Sequence, residues 1–236
     1  MLPRIATPKY DMIVPSTGES ITYRPYVVKE EKILLIAFES QDDTQIEKSV
    51  LDIIKTCIES KIDLNKLTTF DIEFMFVTLR SKSVGEGIKL NMKCEAEDCE
   101  EFNEVKINLD DLNVANLDEK IDKHIKLTDD ISLDMRWLKA NDKLTEAQRK
   151  TQTDMIIHSA AKAIETIYSG EEIHTTKDVT NKEVVEFVES LSTDQFQSMT
   201  EILSKAPYLN YTMKWNCKKC DHSHERELNG LADFFQ

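Results

Sequence analysis

The amino-acid sequence predicts an α+β fold: an N-terminal β-hairpin with helices, then a pair of cysteine-bearing hairpins separated by a largely helical insert. Only five glycines and five prolines occur among 236 residues, which favours helices over an all-β chain with many tight turns. Stretches of alternating polar and apolar residues nevertheless indicate short strands. The predicted segments are 1–84 (hairpin and helices), 85–109 with 207–236 (cysteine hairpins) and 110–206 (insert).

The N-terminal segment contains a hairpin pattern followed by helical patterns. KYDMIV and SITYRPYV flank a Pro-Ser-Thr-Gly turn, as is typical of two antiparallel strands. The next stretch, VKEEKILLIAFES, has a pattern typical of a helix. The helix predicted after it places Ile46, Val50 and Cys57 on one apolar stripe. Cys57 is therefore expected in the core. LTTFDIEFMFVTLRSKSVGEG fits a buried helix or a strand, and we favour a helix through about Arg80.

Two further hairpins each contain a pair of cysteines at the turn. The first reads IKLNMKCEAEDCEEFNEVKINL and the second YLNYTMKWNCKKCDHSHERELNGLADFF. Each has an alternating strand, a Met-Lys shortly before the cysteines, and a charged second strand. They look like two copies of one hairpin, and the sequence predicts that they act together.

The four cysteines of these hairpins predict a structural zinc site. Cys94 and Cys99 are separated by four residues and Cys217 and Cys220 by two, and both spacings occur in structural zinc sites. The start of the sequence lacks a signal-peptide pattern, so we expect a reducing cytoplasm, where paired cysteines more often bind metal than form disulfides. Four thiolates would complete a tetrahedron around Zn²⁺ and leave no position for a reacting water.

Other interpretations of these cysteines stay open at the level of sequence. They could be unrelated free thiols, or His222 or His224 could replace one cysteine, because the sequence HSH begins two residues after Cys220. A redox pair is disfavoured, since Cys217 and Cys220 occupy a predicted hairpin turn and not the helix N-terminus that lowers a thiol pKa.

Between the hairpins, the insert is predicted to be mainly helical. Three residue pairs fit capping boxes and predict helix starts: Thr145 with Gln148, Thr180 with Glu183, and Ser192 with Gln195. In the first of these helices, five residues keep the spacing of a core face: Ile156, Ala160, Ala163, Ile164 and Ile167. The preceding HIKLTDDISLDMRWL fits two short strands or a strand and a turn.

Charge and motif content argue against several functions. The net charge of −14 and the absence of any run of five Lys or Arg disfavour nucleic-acid binding. No apolar stretch is long enough to cross a membrane. No nucleophile-elbow pattern or glycine-rich phosphate loop occurs, and we identify no catalytic or cofactor-binding residues besides the metal site. The sequence therefore predicts a non-enzymatic protein.

The N-terminal stretch PKYDMIVPSTGESITYRPYVVKEEKILLIAFES, with one cysteine hairpin near residue 95 and another before the C-terminus, resembles the T4-type baseplate hub subunit family of contractile-tailed phages. The resemblance spans nearly the whole chain. It implies a non-enzymatic structural or assembly component that binds other tail and baseplate hub proteins. It also implies assembly in the host cytoplasm, and leaves open whether the protein stays in the virion tail or is an assembly chaperone absent from it. A homo-oligomer is compatible with the sequence.

Two other functions compete with this one. Lys214, Lys218 and Lys219 surround the second cysteine turn, as in a zinc-ribbon module that binds nucleic acid. A hydrolytic zinc enzyme would use His222 or His224 with a metal-bound water. Net charge speaks against the first, and four bound cysteines would exclude the second.

Overall fold

The computed structural model describes residues 5–176 and 178–230. Within them the chain forms two compact units. The first unit comprises residues up to 64, then 70–117 and the segment from 207 onward, and the second comprises 65–69 and 118–206. The second unit is therefore an insertion into the first.

Groups of strands and groups of helices follow one another along the described part of the chain. In order, they are β1 (Tyr10–Ile13), β2 (Ser20–Tyr23), α1 (Val28–Ser40), α2 (Asp43–Cys57), α3 (Thr69–Val84), β3 (Gly87–Lys93), β4 (Phe102–Asn108), β5 (Asn113–Ala115), β6 (His124–Lys126), β7 (Ile131–Met135), α4 (Gln152–Ala163), β8 (Ile164–Ser169), β9 (Glu172–Thr175), α5 (Asn181–Glu189), α6 (Thr193–Ser204), β10 (Tyr208–Asn216) and β11 (Ser223–Asn229). The predicted α+β class is confirmed. None of the described helices is long and apolar enough to span a membrane.

The N-terminal hairpin and its helices form as predicted. β1 and β2 pair antiparallel, and Cys57 at the end of α2 is fully buried. The ambiguous stretch is the helix α3, which extends to Val84, beyond Arg80. Apolar residues on most sides of α3 are buried, and a helix that is hydrophobic all round belongs in a core.

Polar contacts hold the segment that connects β2 to α1. Arg24 Nη2 donates to Glu30 Oε1 at 3.1 Å, and the Val27 backbone N–H donates to Glu30 Oε2 at 2.9 Å. The Tyr26 backbone N–H donates to Ser83 Oγ at 2.9 Å. Burial alone would raise the pKa of Glu30, but the Val27 and Arg24 hydrogen bonds outweigh it and lower the pKa. These contacts fix the entry of the chain into α1.

Both cysteine hairpins lie in the first unit. β3 pairs with β4, and β10 lies between β11 and β5 in a three-stranded antiparallel sheet. Residues from both hairpins share one hydrophobic core with α3: Val77, Ile88, Leu90, Val105, Ile107, Leu109, Leu112, Leu209, Met213 and Leu228. This core brings the two cysteine turns to the same place.

The second unit combines three helices with a four-stranded antiparallel sheet of order β6-β7-β8-β9. Its core contains Ile125, Leu133, Met135, Ala160, Ala161, Ala163, Ile164, Val184, Val188 and Met199. The short segment 65–69 joins this unit through the Ala140 backbone N–H, which donates to the Leu67 carbonyl at 2.9 Å. HIKLTDDISLDMRWL forms the two strands β6 and β7.

The first predicted helix of the insert is wrong at both ends. Thr145 and Gln148 begin only a short 3₁₀ turn, and α4 starts after Thr151, whose Oγ accepts from the Asp154 backbone N–H at 3.0 Å. Ile164 and Ile167 lie in β8, where β-branched residues are favoured. The other two capping boxes form as predicted at the starts of α5 and α6.

Candidate metal centre

The four cysteine sulfurs of the two hairpins lie together, although the hairpins are far apart in sequence. All four Sγ atoms are within 4.8 Å of one another. Cys94 Sγ is 3.7 Å from Cys220 Sγ, and Cys99 Sγ is 3.8 Å from Cys217 Sγ. None of the four forms a disulfide. Cys94, Cys99 and Cys217 are buried, and Cys220 is exposed.

The spacing of the sulfurs fits a tetrahedral metal ion. Sulfurs placed about 2.3 Å from a central Zn²⁺ form a tetrahedron with edges of about 3.8 Å. Two sulfur pairs, each joining one hairpin to the other, have this length. The cluster could therefore hold a metal ion.

Backbone hydrogen bonds shape both cysteine turns in the same way. The Cys94 backbone N–H donates to the Glu101 carbonyl at 2.8 Å, and the Cys217 N–H donates to the His222 carbonyl at 2.9 Å. Each turn also contains an aspartate with positive φ, 63° at Asp98 and 58° at Asp221. Aspartate tolerates this left-handed region better than most residues. The turns thus close tightly enough to present both sulfurs to one point.

Peptide N–H groups of the second turn point at its sulfurs. Hydrogen bonds from the backbone N–H groups of Cys220 and Lys219 lower the pKa of the Cys217 thiol to about 6. A hydrogen bond from the His222 N–H lowers the pKa of Cys220 as well, although burial and the neighbouring thiols outweigh it and raise that pKa. Donors aimed at sulfur stabilise a thiolate, the form in which cysteine binds metal.

The environment of Cys94 in the first hairpin is more hydrophobic than that of Cys217 in the second. Burial raises the pKa of the Cys94 thiol to about 12, against a smaller opposing effect of a hydrogen bond from the Ala96 N–H. Four adjacent thiolates repel one another, so a cluster of this kind ionises fully only when a cation neutralises it. The electrostatics of the cluster therefore suit a bound divalent ion.

A buried amide, Asn103 of β4, connects the two hairpins next to the sulfurs. Its Oδ1 accepts a 2.9 Å hydrogen bond from the Lys218 backbone N–H of the second turn. A hydrogen bond from the Asn103 side chain also helps to lower the pKa of the Cys217 thiol. Asn103 was not identified from sequence. The sequence did contain an indication that Asn103 is buried, because Asn103 alternates with Val105 and Ile107 on the inward side of β4.

The two histidines occupy different positions beside the cluster. His224 is buried, stacks on Trp215 with ring centroids 4.7 Å apart, and places Nε2 3.2 Å from Cys94 Sγ. His222 is exposed and meets the His224 ring edge-on at 4.8 Å. His224 thus contacts one sulfur of the four-cysteine cluster.

Acidic residues neutralise two of the lysines around the second turn. Lys218 Nζ lies 2.9 Å from Glu101 Oε1, and Lys214 Nζ lies 3.0 Å from Glu225 Oε1. Paired lysines offer little free positive charge to a phosphate backbone. This arrangement gives no support to a nucleic-acid-binding module.

Comparison with known proteins identifies the family. Residues 7–236 match the family model of the T4 bacteriophage base plate protein. The chain belongs to this family. The curated proteins and the solved structures with which it was compared gave no match. The resemblance to a T4-type baseplate protein is confirmed over nearly the whole chain, and the hub subunit role stays a prediction.

Membership of the T4 base plate protein family assigns a broad role. It supports a structural or assembly role in the phage baseplate, as a tail component that interacts with other baseplate proteins. A structural family of this kind suggests a protein that is not an enzyme. Within the N-terminal stretch that carries the resemblance, residues 23–26 lead from the end of β2 towards α1, and residues 29–32 lie at the start of α1. Arg24 and Glu30 of these two segments pair with each other.

Proposed function

We propose that this base plate protein is a hub component of a contractile tail, and that a structural Zn²⁺ bound by Cys94, Cys99, Cys217 and Cys220 holds its two hairpins together. The proposal depends above all on the two inter-hairpin sulfur distances of 3.7 and 3.8 Å. An all-thiolate, tetrahedral ligand set is typical of zinc in structural sites. The ion supplies folding energy in such a site and takes no part in a reaction.

By binding cysteines of both hairpins, the ion would join residues 85–109 and 207–236 into one structural module. We propose residues 110–206 as the insert of this module, of which Asn113–Ala115 pair with β10 and 118–206 belong to the second unit. Residues 1–84 would be the N-terminal part. A rigid module of this kind keeps its exposed surfaces in a fixed geometry, as recognition of neighbouring hub proteins requires. Thiols stay reduced in the host cytoplasm, where tail assembly would take place.

Asn103 is expected to strengthen metal binding. In Asn103→Asp, Oδ1 can still accept from Lys218, but the amide donor beside Cys217 is replaced by a negative oxygen. Groups that support metal ligands typically contribute 10- to 100-fold in affinity, so zinc affinity should fall by roughly this factor in competition with a chromophoric chelator. Asn91→Asp is the matched control, because Asn91 is exposed on the same hairpin and its replacement should leave affinity unchanged. Equal affinities for the two variants would remove Asn103 from the site.

The hub role predicts a fixed number of copies in each virion. Peptides of this protein and of other baseplate proteins would be counted by mass spectrometry against labelled standards in purified, DNA-filled phage. A hub building block gives one constant ratio to the other hub proteins across preparations. Absence from virions, with presence in infected-cell assembly intermediates, would instead identify an assembly chaperone.

A further inference from the structure

The two cysteine hairpins carry a buried polar side chain at the same position. Asn103 on β4 lies four positions after Cys99. His224 on β11 lies four positions after Cys220. Asn103 is 4% exposed and His224 is 8% exposed. Because burial of a polar group is unfavourable unless the group forms a hydrogen bond, each of these side chains needs a partner inside the protein.

The register of the strands shows that the two positions correspond. Asn103 lies opposite Met92 in the first hairpin, and His224 lies opposite Trp215 in the second. In both hairpins the opposite residue comes two positions before the first cysteine. The hairpins therefore repeat one arrangement of strands, cysteines and buried polar residue, although the spacing within their cysteine pairs differs.

Each of these polar side chains contacts the first cysteine of the other hairpin. The Cys217 sulfur accepts a hydrogen bond from the Asn103 side chain. In the opposite direction, His224 Nε2 lies 3.2 Å from Cys94 Sγ. The two contacts cross between the hairpins, so the environment of the sulfurs has an approximate two-fold symmetry.

The direction of the hydrogen bond at His224 follows from the state of a metal-bound sulfur. Cysteine binds metal as a thiolate, and a thiolate has no proton to donate. The proton between His224 and Cys94 therefore belongs to Nε2, which is a donor when it is protonated. The ring of His224 stacks on Trp215 with 16° between the ring planes, and this stack holds Nε2 towards the sulfur.

We propose that His224 supports the zinc site as a hydrogen-bond donor to the Cys94 thiolate, as Asn103 does for Cys217. The inference rests on the proposed zinc site. Four thiolates already complete the tetrahedral coordination of a structural zinc ion, so His224 is not needed as a ligand. Four thiolates also bring more negative charge than one Zn²⁺ neutralises, and donors aimed at sulfur stabilise this excess.

Zinc affinity measures the contribution of the His224 donor. The full chain would be titrated with zinc against a chromophoric chelator as wild type, His224→Phe and His222→Phe. Phenylalanine keeps a flat ring that can stack on Trp215 but has no N–H, so affinity should fall about tenfold. His222→Phe is the matched control, because His222 is exposed and its replacement should leave affinity unchanged. Equal affinities of the three proteins would overturn the proposal.

A third variant, His224→Asn, tests whether the two positions are equivalent. It gives the second hairpin the amide that the first hairpin has at the same position. Because an amide can donate to sulfur and a phenyl ring cannot, His224→Asn should bind zinc more tightly than His224→Phe. Equal affinities of these two variants would contradict the equivalence of His224 and Asn103.

Nuclear magnetic resonance of the wild-type chain detects the hydrogen bond without any substitution. Cadmium would replace zinc, since thiolate ligands bind both soft and borderline metals, and the chain would carry a nitrogen label. The proton on His224 Nε2 should show a scalar coupling to the metal through the Cys94 sulfur. This coupling should be lost in His224→Phe and kept in His222→Phe.

Two spectroscopic results would overturn the role of His224. A direct coupling between Nε2 and cadmium would identify His224 as a metal ligand, and an Nε2 without a proton would exclude it as a donor. Failure of the zinc site itself has a different signature, because wild type would then take up no metal. A loaded site without the coupling to His224 would contradict only the inference about His224.

Discussion

Cys217→Ser is expected to unfold the two cysteine hairpins and leave the second unit folded. Structural zinc contributes on the order of 10 kcal/mol to folding, which is comparable to the whole stability of a typical domain. The second unit has a core of its own built from residues between Ile125 and Met199. Hydrogen exchange followed by mass spectrometry should show amides of β3, β4, β10 and β11 exchanging rapidly, with α5 and α6 protected as in wild type.

Cys57→Ala is the matched control for this experiment. Cys57 is fully buried at the end of α2 and lies outside the four-cysteine cluster. Its replacement leaves a small cavity, with a cost of roughly 1 kcal/mol, but should leave the hairpins protected and the metal bound. If Cys217→Ser retained wild-type protection in both hairpins, a metal would not be holding them together.

Asp142→Asn is expected to destabilise the second unit by roughly 3 kcal/mol, because it leaves the largely buried Arg136 guanidinium without its counter-ion. Arg136 Nη2 donates to Asp142 Oδ1 at 3.0 Å, and the Lys139 N–H donates to Oδ2 at 2.8 Å. Burial alone would raise the pKa of Asp142, but these hydrogen bonds lower it. Urea unfolding of the full chain, followed by exchange of α4 to α6, measures the loss.

The difference in stability between wild type and Asp142→Asn should depend on pH, because the pKa of Asp142 is lowered in the folded protein. A carboxyl group with a lowered folded-state pKa contributes its stability above its unfolded pKa, about 3.9 for Asp, and loses it as the pH falls through the folded-state value. Wild type and Asp142→Asn should therefore differ at neutral pH and converge below about pH 4. Asp129→Asn is the control, since Asp129 pairs with Lys126 but is 96% exposed. A difference that persists undiminished in acid would exclude the ion pair as its source.

Local patterns explain what the sequence could predict. The N-terminal hairpin, α1, α2 and both cysteine hairpins have turn residues, strand alternation or helical spacing that each segment carries by itself. The cysteine pairs could be assigned to one site because the two hairpins resemble each other, and their sulfurs do lie together. The α5 and α6 capping boxes depend on residues three positions apart, which short-range reasoning can find.

Long-range packing decided the features that were missed. Ile164 and Ile167 continue the spacing of α4, but pairing with β7 draws them into β8. Asn103 matters only because the second turn, more than a hundred residues later in the chain, places the Lys218 N–H against it. The exposure of Leu35 and Ile36 likewise depends on which side of α1 meets the core, and the sequence of α1 offers apolar residues on both sides.

Native mass spectrometry of the intact chain, expressed with zinc in the medium, tests the central claim most directly. The shared site predicts one zinc ion per chain in wild type and in Cys57→Ala. It predicts none in Cys94→Ser or Cys217→Ser, which alter different hairpins. Folded wild-type protein without metal, or a variant of one hairpin that still binds zinc through the other, would contradict the claim that Cys94, Cys99, Cys217 and Cys220 hold one ion between them.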